Sequence, residues 1–129
     1  VQTVAATDFC FVGFRKRQVF VKSYLDYTDY AVIGPDAGNI KIYSALNGTD
    51  AGAVDSTDNW TDGQSKTLKV LVSSAGVVTY QIDGAAPSTT AAFTFDDGDV
   101  VVPYIHILMG AGGSADTDVH LEELEIGLQ

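Results

Sequence analysis

One cysteine, one methionine, one tryptophan, three prolines and two histidines are all that this 129-residue chain offers of the residues that staple, kink or ligate. A lone Cys10 excludes an internal disulfide and with it a small disulfide-framework fold. It lies among Phe9, Phe11 and Val12, where a buried, unreactive thiol is expected. Zinc has no ligand set, because His106 and His120 come without any His-x-x-x-His or Cys-x-x-Cys spacing. His106 stands in an apolar run and reads as a core or interface histidine. Glutamate is equally scarce: of 17 acidic residues only Glu122, Glu123 and Glu125 are Glu. Aspartate suits turns and glutamate suits helices, so this usage predicts many turns and little helix. No apolar run approaches the ~20 residues that cross a bilayer, so no membrane is expected as a partner. Seven basic residues against the 17 acids leave a net charge of -10. That balance excludes nucleic acid, whose phosphates need a basic surface, and favours repulsion between copies. The single basic cluster, Arg15-Lys16-Arg17, reads as a solvated loop beside a turn, with contact to an acidic neighbour as the alternative.

What the chain does have is alternation. Thr67–Ser73 and Val77–Ile82 alternate apolar and polar residues around Ser74-Ala75-Gly76, and Asp62-Gly63 and Asp83-Gly84 close the ends. Period-two patterning between turn residues predicts a hairpin with one buried face, carrying Leu68, Val70 and Val72 on one strand and Val78, Tyr80 and Ile82 on the other. Further strands are expected at Phe9–Phe14, Gln18–Ser23, Tyr30–Ile33, Asn39–Leu46, Ala92–Phe95, Val100–Met109 and Val119–Ile126, nine in all, with no convincing helix. Gly34-Pro35-Asp36 and Asp96-Asp97-Gly98-Asp99 read as turns. Polar Asn47–Thr61 reads as the longest loop, and Gly110–Asp118 as a second one. Val100–Met109 is almost continuously apolar, which suits a strand covered on both faces, with Pro103 at a bulge or edge. So many short strands in a chain of one-domain length predict a single all-β domain over 1–129, an antiparallel β-sandwich. The chain opens on Val1 instead of Met, which suggests the C-terminal part of a longer precursor.

From Phe11 onward the sequence resembles a group of bacteriophage proteins with a concanavalin A-like, lectin/glucanase-type jelly roll. The residues that carry the likeness are F-V-G-F-R-K at 11–16, Y-T-D-Y-A at 27–31, the stretch from Trp60 to Gly84, A-F-T-F-D-D-G-D-V-V-V-P-Y at 92–104 and L-E-E-L-E-I-G at 121–127. The central hairpin is also similar to laminin-G and pentraxin-type domains. The resemblance implies a non-enzymatic structural protein of a phage particle, most concretely a capsid decoration (cement) protein on the virion exterior. Its partners would be the major capsid protein or other virion proteins, and it would form a homo-oligomer. The alternative is a carbohydrate-binding, lectin-like module of a tail fibre or capsid surface, holding surface glycans.

Three constellations bear on that choice. Glu122, Glu123 and Glu125 invite comparison with glucanase strands, since retaining glycosidases need two carboxylates about 5–5.5 Å apart. No Asp lies between them and the chain is short for a substrate cleft, so no catalytic residue is assigned. Asp96, Asp97 and Asp99, with Asp55 and Asp58 in the long loop, are the candidates for calcium, which wants six to eight oxygens. An ordinary turn explains D-D-G-D as well, and no cofactor is assigned. Trp60, Tyr24, Tyr27 and Tyr30 are the aromatic residues that could stack on a sugar, against their commoner use as core or rim packing. Asn47-Gly48-Thr49 and Asn59-Trp60-Thr61 match the N-glycosylation pattern, but in a phage product they would carry no glycan.

Overall fold

The computed structural model describes residues 9–108 and 123–126. Eight strands follow one another: β1 (Phe9–Lys16), β2 (Tyr30–Asp36), β3 (Asn39–Leu46), β4 (Thr49–Asn59), β5 (Leu68–Val72), β6 (Val77–Ile82), β7 (Phe93–Thr94) and β8 (Val101–Leu108). One 3-10 turn, Tyr24–Asp26, is the only helical element among the described residues, and Leu25 N–H donates to the Ser23 hydroxyl at its start. The strands pair antiparallel in a five-stranded sheet, ordered β4-β3-β2-β1-β8, and a three-stranded sheet, ordered β5-β6-β7. This is the all-β sandwich that the alternation predicts.

Each sheet presents its apolar parity to the other. Val78, Tyr80 and Ile82 of β6 and Phe93 and Phe95 pack against Ala31 and Ile33 of β2 and Ile40 and Ile42 of β3, with Trp60 in the same cluster. Leu68, Val70 and Val72 line this core as expected, and Val12, Phe14 and Val101 extend it. Each large side chain fully buried here stabilises the fold by about 1.5–3 kcal/mol relative to exposure. The opposite face of the large sheet is buried too. Phe11, Tyr30, Val32, Tyr43 and Ala45 form a second cluster, and Tyr24 and Tyr27 from the segment before β2 close over it. That segment acts as a lid of aromatic rings.

Several expectations are corrected. Asn47–Thr61 is not a loop: β4 occupies most of it, paired with β3 across two register shifts. As an edge strand among the described residues, with nearly all its side chains in water, β4 needs no apolar face, and its exposed aspartates protect the edge from further pairing. Asn47-Gly48, with φ 51° and 76°, makes the tight turn between β3 and β4, the Asn-Gly pair supplying the left-handed backbone such hairpins demand. Gly34-Pro35-Asp36 is not a turn either. It continues β2, and Ala37-Gly38 makes the reversal. The β1 ladder ends at Val12↔Ile33, so Pro35 owes β1 no N–H there. Gln18–Ser23 forms no strand.

Among the described residues, strand β8 is not covered on both faces. It is the edge beyond β1 of the described sheet, as Pro103 allows, and Ile105 and Ile107 stand 40% and 48% exposed. The expected Val119–Ile126 strand lies largely outside the described residues. Its described part, 123–126, carries no strand.

Candidate functional site

Charged groups converge where the end of β1, the start of β2, the β3–β4 turn and the β7–β8 turn meet. Asp29, immediately before β2, is 1% exposed. Its carboxylate accepts the Asn47 N–H at 2.9 Å and the Thr28 hydroxyl, and its backbone carbonyl accepts Lys16 N–H at 2.9 Å. The Asn47 amide donates to Asp96 at 2.9 Å, and Gly48 N–H donates to the Thr28 carbonyl at 2.8 Å. One oxygen from each of Asp29, Asp96 and Asp99 lies within 4.8 Å of the others. Lys16 Nζ is 2.5 Å from Asp99 and 4.0 Å from Asp29. The hydrogen bond to Asp99, backed by the charges of Asp99, Asp29 and Asp96, holds the Lys16 pKa above its ordinary value. Two of the three carboxylates, Asp29 and Asp99, thus share one resident ammonium, and Asp96 adds its charge nearby.

This arrangement revises the calcium candidates. Asp96 and Asp99 come together as the sequence suggested, but Asp97 is exposed and outside the group. Asp55 and Asp58 lie on β4, where Asp55 accepts the Thr57 N–H at 2.8 Å. Sequence reasoning missed Asp29, Lys16 and Asn47. The donor set, three carboxylates and an amide, suits a hard cation in kind. A cation would nevertheless have to displace Lys16. Nor is the basic cluster a solvated loop: Arg15 and Lys16 end β1, and only Arg17 is exposed. The Arg15 guanidinium lies 4.4 Å from the Tyr27 ring centre and 5.5 Å from that of Tyr104, a cation–π stack beneath the lid.

The aromatic candidates are all internal. Tyr24, Tyr27, Tyr30 and Trp60 are buried. Trp60 Nε1 donates to the Gln64 carbonyl at 2.8 Å, and Tyr24 packs edge-on against Phe11 and Tyr30 with ring centres 5.5 and 5.9 Å away. Stacking on a sugar needs a free ring face, and packing takes these faces up. Glu123 and Glu125 are exposed, while Glu122 and His120 lie outside the described residues. Cys10 is a free, half-buried thiol whose pKa burial pushes up, away from reactivity.

His106 joins the lid from β8. Its ring centre is 5.6 Å from that of Tyr24 and 5.8 Å from that of Tyr104, and its Nδ1 meets the Tyr104 hydroxyl at 3.1 Å. Nε2 is buried without a hydrogen-bond partner. Burial lowers its pKa below the ordinary 6.5. Between that lowered value and 6.5 the unfolded chain binds the proton and the folded chain does not, so stability is lost as pH drops through this window. The urea midpoint is therefore expected to drop as pH falls from about 7 to about 5, and the drop is expected to shrink in His106→Phe. Asp36 titrates lower still. Burial raises its pKa, but hydrogen bonds from Lys41 and Tyr43 and the Lys41 charge outweigh it, leaving the pKa below 3.8. Its contribution is lost only in stronger acid. An unchanged pH slope in His106→Phe would remove the histidine from the account.

Compared with protein-family models, curated proteins and solved structures, the chain has no match.

Proposed function

We propose that this chain is a non-enzymatic structural protein of a bacteriophage particle, a decoration protein on the capsid exterior that reinforces contacts between shell subunits. One observation carries the reading beyond the sequence resemblance. The aromatic residues that could have served a small ligand are spent on the interior, whereas large apolar side chains, Val19, Phe20, Ile105 and Ile107 among them, are left exposed. Exposed apolar groups on a rigid frame suit contact with other proteins. The partners in this reading are the major capsid protein, other virion proteins and further copies of the chain. The concanavalin A-like connectivity implied by the resemblance belongs to the same proposal.

The test is the copy number of this polypeptide in purified particles, quantified by mass spectrometry against the major shell protein. Decoration requires near-stoichiometric copies, or one per two or three shell subunits. A handful of copies would overturn decoration in favour of a tail module and bring glycans forward, and absence would end the virion reading. The reading includes no cofactor, and Lys16, 2.5 Å from Asp99 and 4.0 Å from Asp29, occupies the place beside the aspartates that a metal ion would take. Millimolar calcium is expected to leave the melting temperature unchanged, whereas a clear rise would assign a metal to Asp29, Asp96 and Asp99.

A further inference from the structure

Val19 and Phe20 stand at the tip of the segment that leaves β1, 85% and 80% exposed, more than any other large apolar residue described. The tip is held on both sides. Before it, Arg17 N–H donates to the Val100 carbonyl at 2.8 Å, and Gln18 Oε1 accepts from the Thr28 N–H at 3.1 Å and hydroxyl at 3.2 Å. After it, Val21 packs against the buried aromatic cluster, and its N–H reaches the Tyr27 hydroxyl at 3.4 Å. A phenylalanine pinned outward in this way has already lost the freedom that binding would otherwise remove. Arg17 and Lys22 flank it, both exposed and neither in an ion pair among the described residues. The tip is thus an apolar anchor between two free cations on a chain of net charge -10.

Its complement lies on the same end of the molecule. A depression of about 110 Å³ is lined by apolar Val72, Phe95 and Val101, by the serine-bearing turn between β5 and β6, and by acidic Asp96, Asp97 and Asp99. Val100, whose carbonyl holds Arg17, sits between this acidic turn and the lining residue Val101. A closed cavity of roughly 150 Å³ takes up a benzene-sized guest, so a smaller depression open to one side suits the leading edge of a phenyl ring. Phe20 does not line the depression of its own chain. Tip and depression being neighbours, one two-fold axis can place each tip in the other copy's depression, the self-complementary arrangement of closed dimers.

We infer that this end of the molecule binds a second copy of the chain, Phe20 entering the partner's depression toward Val72 and Val101 while Arg17 and Lys22 meet its acidic rim. Asp97 is the rim acid left for them, since Asp99 is paired with Lys16 and Asp96 with Asn47. The pairing stands apart from the virion reading: it concerns the chain by itself, whatever larger assembly carries it. Long-range repulsion between copies is screened at physiological ionic strength, where the Debye length is about 8 Å, while the close contacts survive.

Sedimentation velocity at that ionic strength, from about 1 μM to about 300 μM chain, tests the inference. The expected result is a reversible monomer–dimer equilibrium in which Phe20→Ser weakens association roughly 30-fold or more. Phe20 is too exposed for the variant to disturb the fold, and an unchanged melting curve will confirm that. Arg17→Asp is expected to weaken the dimer and Asp97→Arg in the same chain to restore it. A monomer throughout the range overturns the inference, as does a dimer indifferent to Phe20→Ser. Open-ended growth with concentration overturns the two-fold exchange.

Discussion

Gly34→Ala is expected to destabilise the fold by on the order of 3 kcal/mol or more, a large share of the 5–15 kcal/mol that holds an ordinary domain together. A Cβ at Gly34 would stand 1.8 Å from the Cys10 carbonyl oxygen and 2.8 Å from its carbon. These are backbone atoms, so no rotamer change relieves the clash and β1 itself must move. Movement of β1 is costly because the strand carries β8 through an eight-pair ladder and binds β2 from Val12 to Arg15. It also seats Phe11, which is fully buried against the lid. Gly13 sets the same constraint from the other strand, its missing Cβ lying 2.2 Å from the Ala31 carbonyl oxygen. Gly63→Ala is the control. Nothing lies within 4 Å of a Cβ there and only the φ of 76° opposes it, so a cost of about 1–2 kcal/mol is expected. In thermal melts Gly34→Ala should lose roughly 10 °C or more. Loss no greater than that of Gly63→Ala would show that β1 does not pass so close to β2.

Local signals explain which parts of this architecture the sequence discloses. The β5–β6 hairpin is legible because one strand face is buried and the other wet, and alternation records that difference. Strand β4 has no buried face to record. Thr49–Asn59 is mostly exposed, so its composition looks like a loop although the Asn47-Gly48 pair before it is a strong hairpin signal. Gln18–Ser23 misleads in the opposite sense. Its Val19 and Val21 alternate as in a strand, yet Val21 is tucked under the lid and Val19 is left in water. Gly34 and Pro35 look like turn punctuation, but Gly34 is there for space and Pro35 where the β1 ladder has stopped. The charged group is the least legible feature. Lys16, Asp29, Asn47, Asp96 and Asp99 share no motif, and only the antiparallel returns of the chain bring them together.

Asp29 offers the second large effect. Asp29→Ala removes a buried carboxylate that joins three separate turns of chain, and a loss of about 2–4 kcal/mol is expected. The Asn47 N–H and the Thr28 hydroxyl lose their acceptor, while Lys16 keeps only Asp99 at close range. Asp29→Asn separates charge from hydrogen bonding. Its amide oxygen can still accept from Asn47, but the charge facing Lys16 is gone and an amide NH2 has to sit where the second carboxylate oxygen was. If hydrogen bonding dominates, Asn recovers most of the stability lost in Ala. If charge dominates, Asn is nearly as damaging as Ala, and Lys16→Met should then cost less in either variant than in the parent chain, because the ammonium has lost Asp29 and keeps only Asp99. Urea unfolding of the four chains as a double-mutant cycle measures that coupling directly. Additive effects of Lys16→Met and Asp29→Asn would show that the 4.0 Å approach of Lys16 to Asp29 carries no stability, and would assign the lysine to Asp99 alone.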